Sequence, residues 1–208
     1  ESTTYFFRGK KMTSVVDICN SALNMLGATN IISLDEDSKS ARVCNQRYPN
    51  VRDAVMRAHN WNCLVTRTSI ASDEAAPAFT FSYQYSLPTD PYCLRVMHLD
   101  YHDLEYKVEG RKILTDESTL NLVYLARVED PNEYDMLLVE AIAARMAADI
   151  SYNLVNSTTL TPTMWQLYDQ KLSEARFVDA TEGTPGVLSD GVAASGALQS
   201  DVLINSRY

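Results

Sequence analysis

The sequence predicts an α+β fold that is mainly α: a four-helix bundle-like core, a small inserted antiparallel β-sheet and a flexible C-terminal tail. Three observations carry this expectation. Apolar residues recur at helical spacing up to residue 60 and again after residue 131. Between these stretches lie six short runs rich in β-branched or aromatic residues, each bounded by turn residues. Beyond residue 180 periodicity stops, and four of the seven glycines (Gly183, Gly186, Gly191 and Gly196) gather there with serine and aspartate.

The first helix is expected over 14–26. Thr13 or Ser14 can cap it, Asp17 sits in its first turn, and Gly27 supplies the stop. Val15, Ile18, Ala22 and Leu26 form its apolar stripe. A second helix spans 38–60, capped by Asp37, with Ala41, Cys44, Tyr48, Val51, Val55 and Ala58 on its inward face. Pro49 removes a backbone donor in the middle and predicts a kink. Arg42, Arg47, Arg52 and Arg57 recur every five residues, so they spiral around the helix and form no single basic face. They are read as solvated or acid-paired.

The β insertion occupies about 62–127, with runs at 62–70, 79–87, 94–100, 106–108, 112–114 and 120–126. Phe79, Phe81, Tyr83 and Tyr85 alternate strictly, which predicts four aromatics on one sheet face. Val108 to Lys112 reads as a tight hairpin around Gly110. A third helix over 132–155 is apolar almost all round, as suits a central element. Arg145 and Asp149, four apart in its apolar sector, read either as a buried or interface ion pair or as an exposed pair that snorkels. Thr161 and Pro162 open a last helix over 162–178, with Trp165, Tyr168, Leu172 and Ala175 inward.

Residues 13–180 therefore make one well-cored domain. Residues 1–12 are set aside as an N-terminal extension or vector-derived remnant, with Met12 as the natural start, and 181–208 as the tail. The tail's apolar knots, Val187-Leu188 and Val202-Leu203-Ile204, suit docking onto a partner.

Lys and Arg number 18 against 27 Asp and Glu, a formal charge of −9. That balance argues against a surface that grips nucleic acid, although an acidic protein can sit beside DNA that must slide past. Cys19, Cys44, Cys63 and Cys93 show no C-x-x-C pair and read as reduced thiols of a protein that folds in cytoplasm. No apolar run approaches a membrane span. There is no G-x-S-x-G elbow, P-loop or G-x-G-x-x-G. His98, Asp100 and His102 alternate and would share a strand face, as a metal site or as ordinary exposed polar residues; no metal or cofactor is expected. His59 beside Trp61 reads as a helix-end or packing histidine. Asp35-Glu36-Asp37 and Asp130-Glu133-Asp135 could be paired as a glycosidase pairs carboxylates, yet both groups fall where helices begin and acids favour the helix dipole.

The chain resembles the phage head-to-tail adaptor family, which includes the tail tubular protein A of short-tailed phages. The similarity begins at Asp17-Ile18-Cys19-Asn20-Ser21-Ala22-Leu23 with Leu26-Gly27. It continues through Tyr48-Pro49-x-x-Arg52-Asp53, Arg57-Ala58-His59-Asn60-Trp61-Asn62 and Tyr85-x-Leu87-Pro88-x-Asp90-x-x-x-Leu94-Arg95-Val96. It ends with Tyr106-x-Val108-Glu109-Gly110-Arg111, Ala126-Arg127-Val128-x-Asp130-Pro131, Glu140-Ala141-x-Ala143-Ala144-Arg145 and Ala175-Arg176. Asn60 stands where similar sequences often have Pro, and Cys63 where an aromatic is common.

The resemblance implies a non-enzymatic homo-oligomeric ring, a dodecamer, at the head–tail junction of a virion assembled in host cytoplasm. Such a ring binds the portal protein, presents a platform to tail or nozzle proteins, and passes DNA through its lumen without specific binding and without a membrane. Candidate subunit or partner contacts are Arg52, Asp53, Arg57, Arg145 and Asp149, with Val187, Leu188, Val202, Leu203, Ile204 and Tyr208 in the tail. A cell-wall-degrading virion protein of glycosidase type and a regulatory binding module are the competing expectations.

Overall fold

A computed structural model describes residues 13–100 and 105–182, and among these the chain is a mixed α and β protein with four α-helices and two small antiparallel sheets. Helix α1, Val15–Met25, opens with a capping box: Ser14 accepts from the Asp17 amide while the Asp17 carboxylate accepts from the Ser14 amide. Gly27, at φ +67°, lets the chain leave it.

Helix α2, Lys39–Arg57, starts one residue later than expected. Ser38 and not Asp37 is the cap, its hydroxyl accepting from the Ala41 amide at 3.1 Å, while Asp37 pairs with Arg42. Pro49 lies inside α2, which runs unbroken past it. The helix stops short of residue 60: the Ala58 amide closes the last turn on the Val55 carbonyl at 3.1 Å, and the Trp61 indole turns back to donate to the same oxygen at 3.0 Å.

Strand positions follow the expected runs: β1 Val65–Ile70, β2 Tyr83–Ser86, β3 Cys93–Leu99, β4 Tyr106–Glu109, β5 Lys112–Thr115 and β6 Leu120–Ala126. They form two sheets where one was expected. The first has the order β1-β6-β3 and the second β2-β5-β4, every pair antiparallel. Gly110, at φ +59°, makes the β4–β5 turn. The four-aromatic ladder does not form. Thr80 adopts φ 76° and breaks the alternation, Phe79 is left 81% exposed, and only Tyr83 and Tyr85 lie on β2.

A 3₁₀ turn, Pro131–Glu133, precedes α3, Met136–Val155, so that helix begins later than residue 132. Asp130 caps the turn through the Asn132 amide at 2.9 Å, and Asp135 caps α3 through the Leu137 amide at 2.8 Å. Helix α4, Leu160–Thr181, starts before Thr161, whose hydroxyl meets that of Ser151 on α3 at 3.0 Å and caps nothing. It also runs past residue 178, to Thr181, the first residue assigned to the tail.

The layers follow from side-chain alternation. Helix α3 packs against α1, α2 and α4, and eleven of its residues are buried. The first core joins these helices to one face of the β1-β6-β3 sheet through Leu94 and Leu125. The second core lies between the sheets, where Leu120, Leu122, Tyr124 and Ala126 of β6 meet Tyr85 and Ile113. Strand β6 is therefore covered on both faces, and the second sheet forms an outer layer. Cys19, Cys44 and Cys93 are buried and Cys63 half-buried, all free thiols. Burial pushes the Cys63 and Cys93 thiols up, away from the reactive thiolate.

Candidate interaction surface

The sharpest concentration of polar contacts lies where the exit of α2, the start of β1 and the end of α4 meet. Trp61 is fully buried there, and the His59 ring stands edge-on to it with centroids 5.0 Å apart. His59 Nε2 lies 3.1 Å from Asp179 Oδ2. The Asn62 amide donates to Asp179 Oδ1 at 3.0 Å, and the Asn62 side chain to the Asp179 carbonyl at 2.7 Å. Arg176 donates to the Ala58 carbonyl at 2.9 Å, at the negative end of α2. Helix α4 is thus fastened to the exit of α2 over a sequence separation of more than a hundred residues. His59 is the packing histidine expected. Asp179, the buried hub, carried no signal in the sequence, because its partners lie on the far side of the β insertion.

A second network sits along α2. Arg52 is buried and pairs with Asp53 at 2.9 Å and Glu129 at 3.7 Å; Arg127 reaches Asp53 at 2.5 Å. Arg52 and Asp53, candidate subunit contacts, therefore engage groups within the chain, while Asp53 and Arg127 stay partly open to solvent. Arg57 is exposed and donates to the Leu94 carbonyl on β3. Of the four spiralling arginines, Arg42, Arg47 and Arg52 are acid-paired, as read from their spacing, and Arg57 is not.

The expected Arg145–Asp149 pair does not form. Asp149 takes a two-pronged contact from Arg47 on α2, at 2.5 and 2.9 Å. Arg145 instead lies over the rings of Trp165 and Tyr168 on α4, at 4.3 and 5.1 Å from their centroids. The reason is angular: neighbouring helices offer each residue a partner better placed than one a turn along the same helix. Burial pushes the Tyr168 hydroxyl up, and the Arg145 charge works against that shift.

Tyr92, in the turn before β3, is held between two guanidiniums. Arg111 lies 4.0 Å and Arg127 4.3 Å from its ring centroid. Arg111 also donates to the carbonyls of Cys93 at 3.1 Å and Pro88 at 2.8 Å. The outer sheet is thereby tied to the end of β6.

The two carboxylate groups are far apart. Lys39, at the start of α2, reaches the Asn153 carbonyl near the end of α3, so Asp35-Glu36-Asp37 lies beside the C-terminal end of α3. Asp130, Glu133 and Asp135 lie at its other end, about 30 Å away by helix length. A glycosidase pair needs about 5–10 Å, so these groups cannot serve as one. His102 lies outside the described residues, as do Val187, Leu188, Val202, Leu203, Ile204 and Tyr208. Among the described residues no group of three or more His, Cys, Asp or Glu side chains is placed to hold a metal, and no helix is long and apolar enough to cross a membrane.

No protein-family model matches the chain, and a search of curated proteins finds no match.

Proposed function

We propose that the chain is a structural head-to-tail adaptor of a tailed phage, a ring subunit that joins the portal to tail or nozzle proteins and lets the genome pass. In this reading the four helices form a bundle-like core that carries the ring, and the two sheets offer a second contact layer. One observation carries it. The motif residues that the resemblance rests on are scattered along the sequence, yet many gather in two clusters on the C-terminal half of α2 and its exit: Tyr48, Arg52, Asp53 and Arg127 along the helix, and His59, Trp61, Asn62 and Arg176 where it ends. A joint locked by buried polar contacts holds two layers at a set angle, which a subunit repeated around a ring requires. The net charge of −9 supports passage of DNA without adhesion.

The test is to mix the purified protein with portal rings and weigh the product by native mass spectrometry. A complex carrying one copy of this chain per portal subunit is the expected result. Absence of any complex at micromolar concentration would sink the connector reading.

A further inference from the structure

We propose that Arg57, Arg95 and Arg176 form a receptor for the carboxylates of an acidic, apolar-containing segment of a partner protein. The three come from the end of α2, from β3 and from the end of α4, and their anchors bring them together. Arg57 donates to the Leu94 carbonyl, Arg95 to the Asn60 side-chain oxygen, and Arg176 to the Ala58 carbonyl. Two of those acceptors are two residues apart on the exit of α2, and the third adjoins Arg95 itself. All three acceptors are uncharged.

None of the three forms an ion pair among the described residues, whereas Arg42, Arg47, Arg52 and Arg127 each do. Asp179, one turn from Arg176, is already taken by His59 and Asn62. Burial, and after it the charges of Arg57 and Arg176, hold the Arg95 guanidinium below its usual value. The Nε of Arg176 is buried without a hydrogen-bond partner. Three cations gathered without an anion cost stability, and Arg57, which is exposed, with Arg95 and Arg176, which are half-buried, can meet an incoming oxyanion.

The ligand class follows from the surroundings. Phe177, 72% exposed, follows Arg176 on α4 and sets an exposed apolar ring about 100° round the helix from it. Arginine beside an exposed aromatic is the composition of protein–protein hot spots. A polyphosphate carries a denser charge against the net −9 of the chain than a peptide in which apolar residues space the carboxylates. The three arginines would hold such a segment whether or not the chain assembles under a portal.

The test uses the full-length protein and two fluorescein-labelled probes, a peptide of alternating glutamate and leucine and a single-stranded oligonucleotide, read by anisotropy. The wild type is expected to bind the peptide more tightly than the oligonucleotide. Arg95→Gln and Arg57→Gln are each expected to weaken the peptide at least tenfold. Arg95→Gln should also leave the melting temperature unchanged or raise it, because it removes a half-buried, mutually repelled charge. Equal peptide binding by wild type and both variants, or none by any, overturns the proposal. Tighter binding of the oligonucleotide overturns it in favour of a nucleic-acid surface. A fall of several degrees in melting temperature for Arg95→Gln, with peptide affinity unchanged, assigns these arginines to the fold alone.

Discussion

Asp179 receives two hydrogen bonds through its carboxylate and one through its carbonyl, in a place where only 6% of the residue is exposed. Removing the carboxylate strands the Asn62 amide and the His59 ring in a buried setting, which costs about 2–3 kcal/mol. Asp179→Ala should lose that amount in urea unfolding at neutral pH. Asp179→Asn retains an oxygen for the Asn62 amide and should lose about 1 kcal/mol or less. Equal losses in the two variants would mean that shape, not hydrogen bonding, holds the site. At this scale the sequence shows residue types but not partners. Arg145 and Asp149 have the spacing of a helical pair, but a spacing of four says nothing of a neighbouring helix. The arginine that Asp149 uses lies 102 residues away. Trp61 could be placed as a core anchor because its size leaves few other places for it; Asp179 could not, because an aspartate near a helix end looks like any solvated acid.

Elements were far more readable. Six strand positions and four helices follow from periodicity and turn residues, because those signals are local. What periodicity does not contain is which strands pair. An unbroken meander of six strands predicts one sheet; the chain makes two because β6 pairs with β1 and β3 while β5 pairs with β2 and β4. The connection from β1 to β2 shows how the outer sheet is pinned. Asp73 accepts from Ser86 and pairs with Lys112 at 2.9 Å, and the Lys112 contact holds its carboxyl below the usual range. With the folded value depressed, the pair's contribution is fully present above the ordinary aspartate range and is lost as pH falls through the folded value. Lys112→Gln should therefore lower the melting temperature at neutral pH and converge on the wild type in acid, once the pH falls below the depressed Asp73 value. Parallel melting curves with a constant offset at every pH would rule the pair out as the cause.

At the scale of the whole molecule, helices, inner sheet and outer sheet stack as three layers around two cores, and β6 belongs to both. Composition foretold a chain large enough for a core but not the division of that core, which depends on sheet pairing. It did show the charge. A net −9 on one folded chain repels itself, and monovalent salt screens that repulsion within about 10 Å at 0.1 M. The melting temperature is expected to rise between about 10 mM and 0.2 M sodium chloride. A fall over that range would show that the internal ion pairs, such as Arg47–Asp149, outweigh the general repulsion. The clamp on Tyr92 matters most for stiffness. Its two arginines come from the outer hairpin and from the end of β6, and Arg127 also grips Asp53 on α2. A torque applied to the outer sheet would reach the long helix through that ring, a coupling that Tyr92→Ala is expected to loosen, read as faster amide exchange in the β4–β5 hairpin.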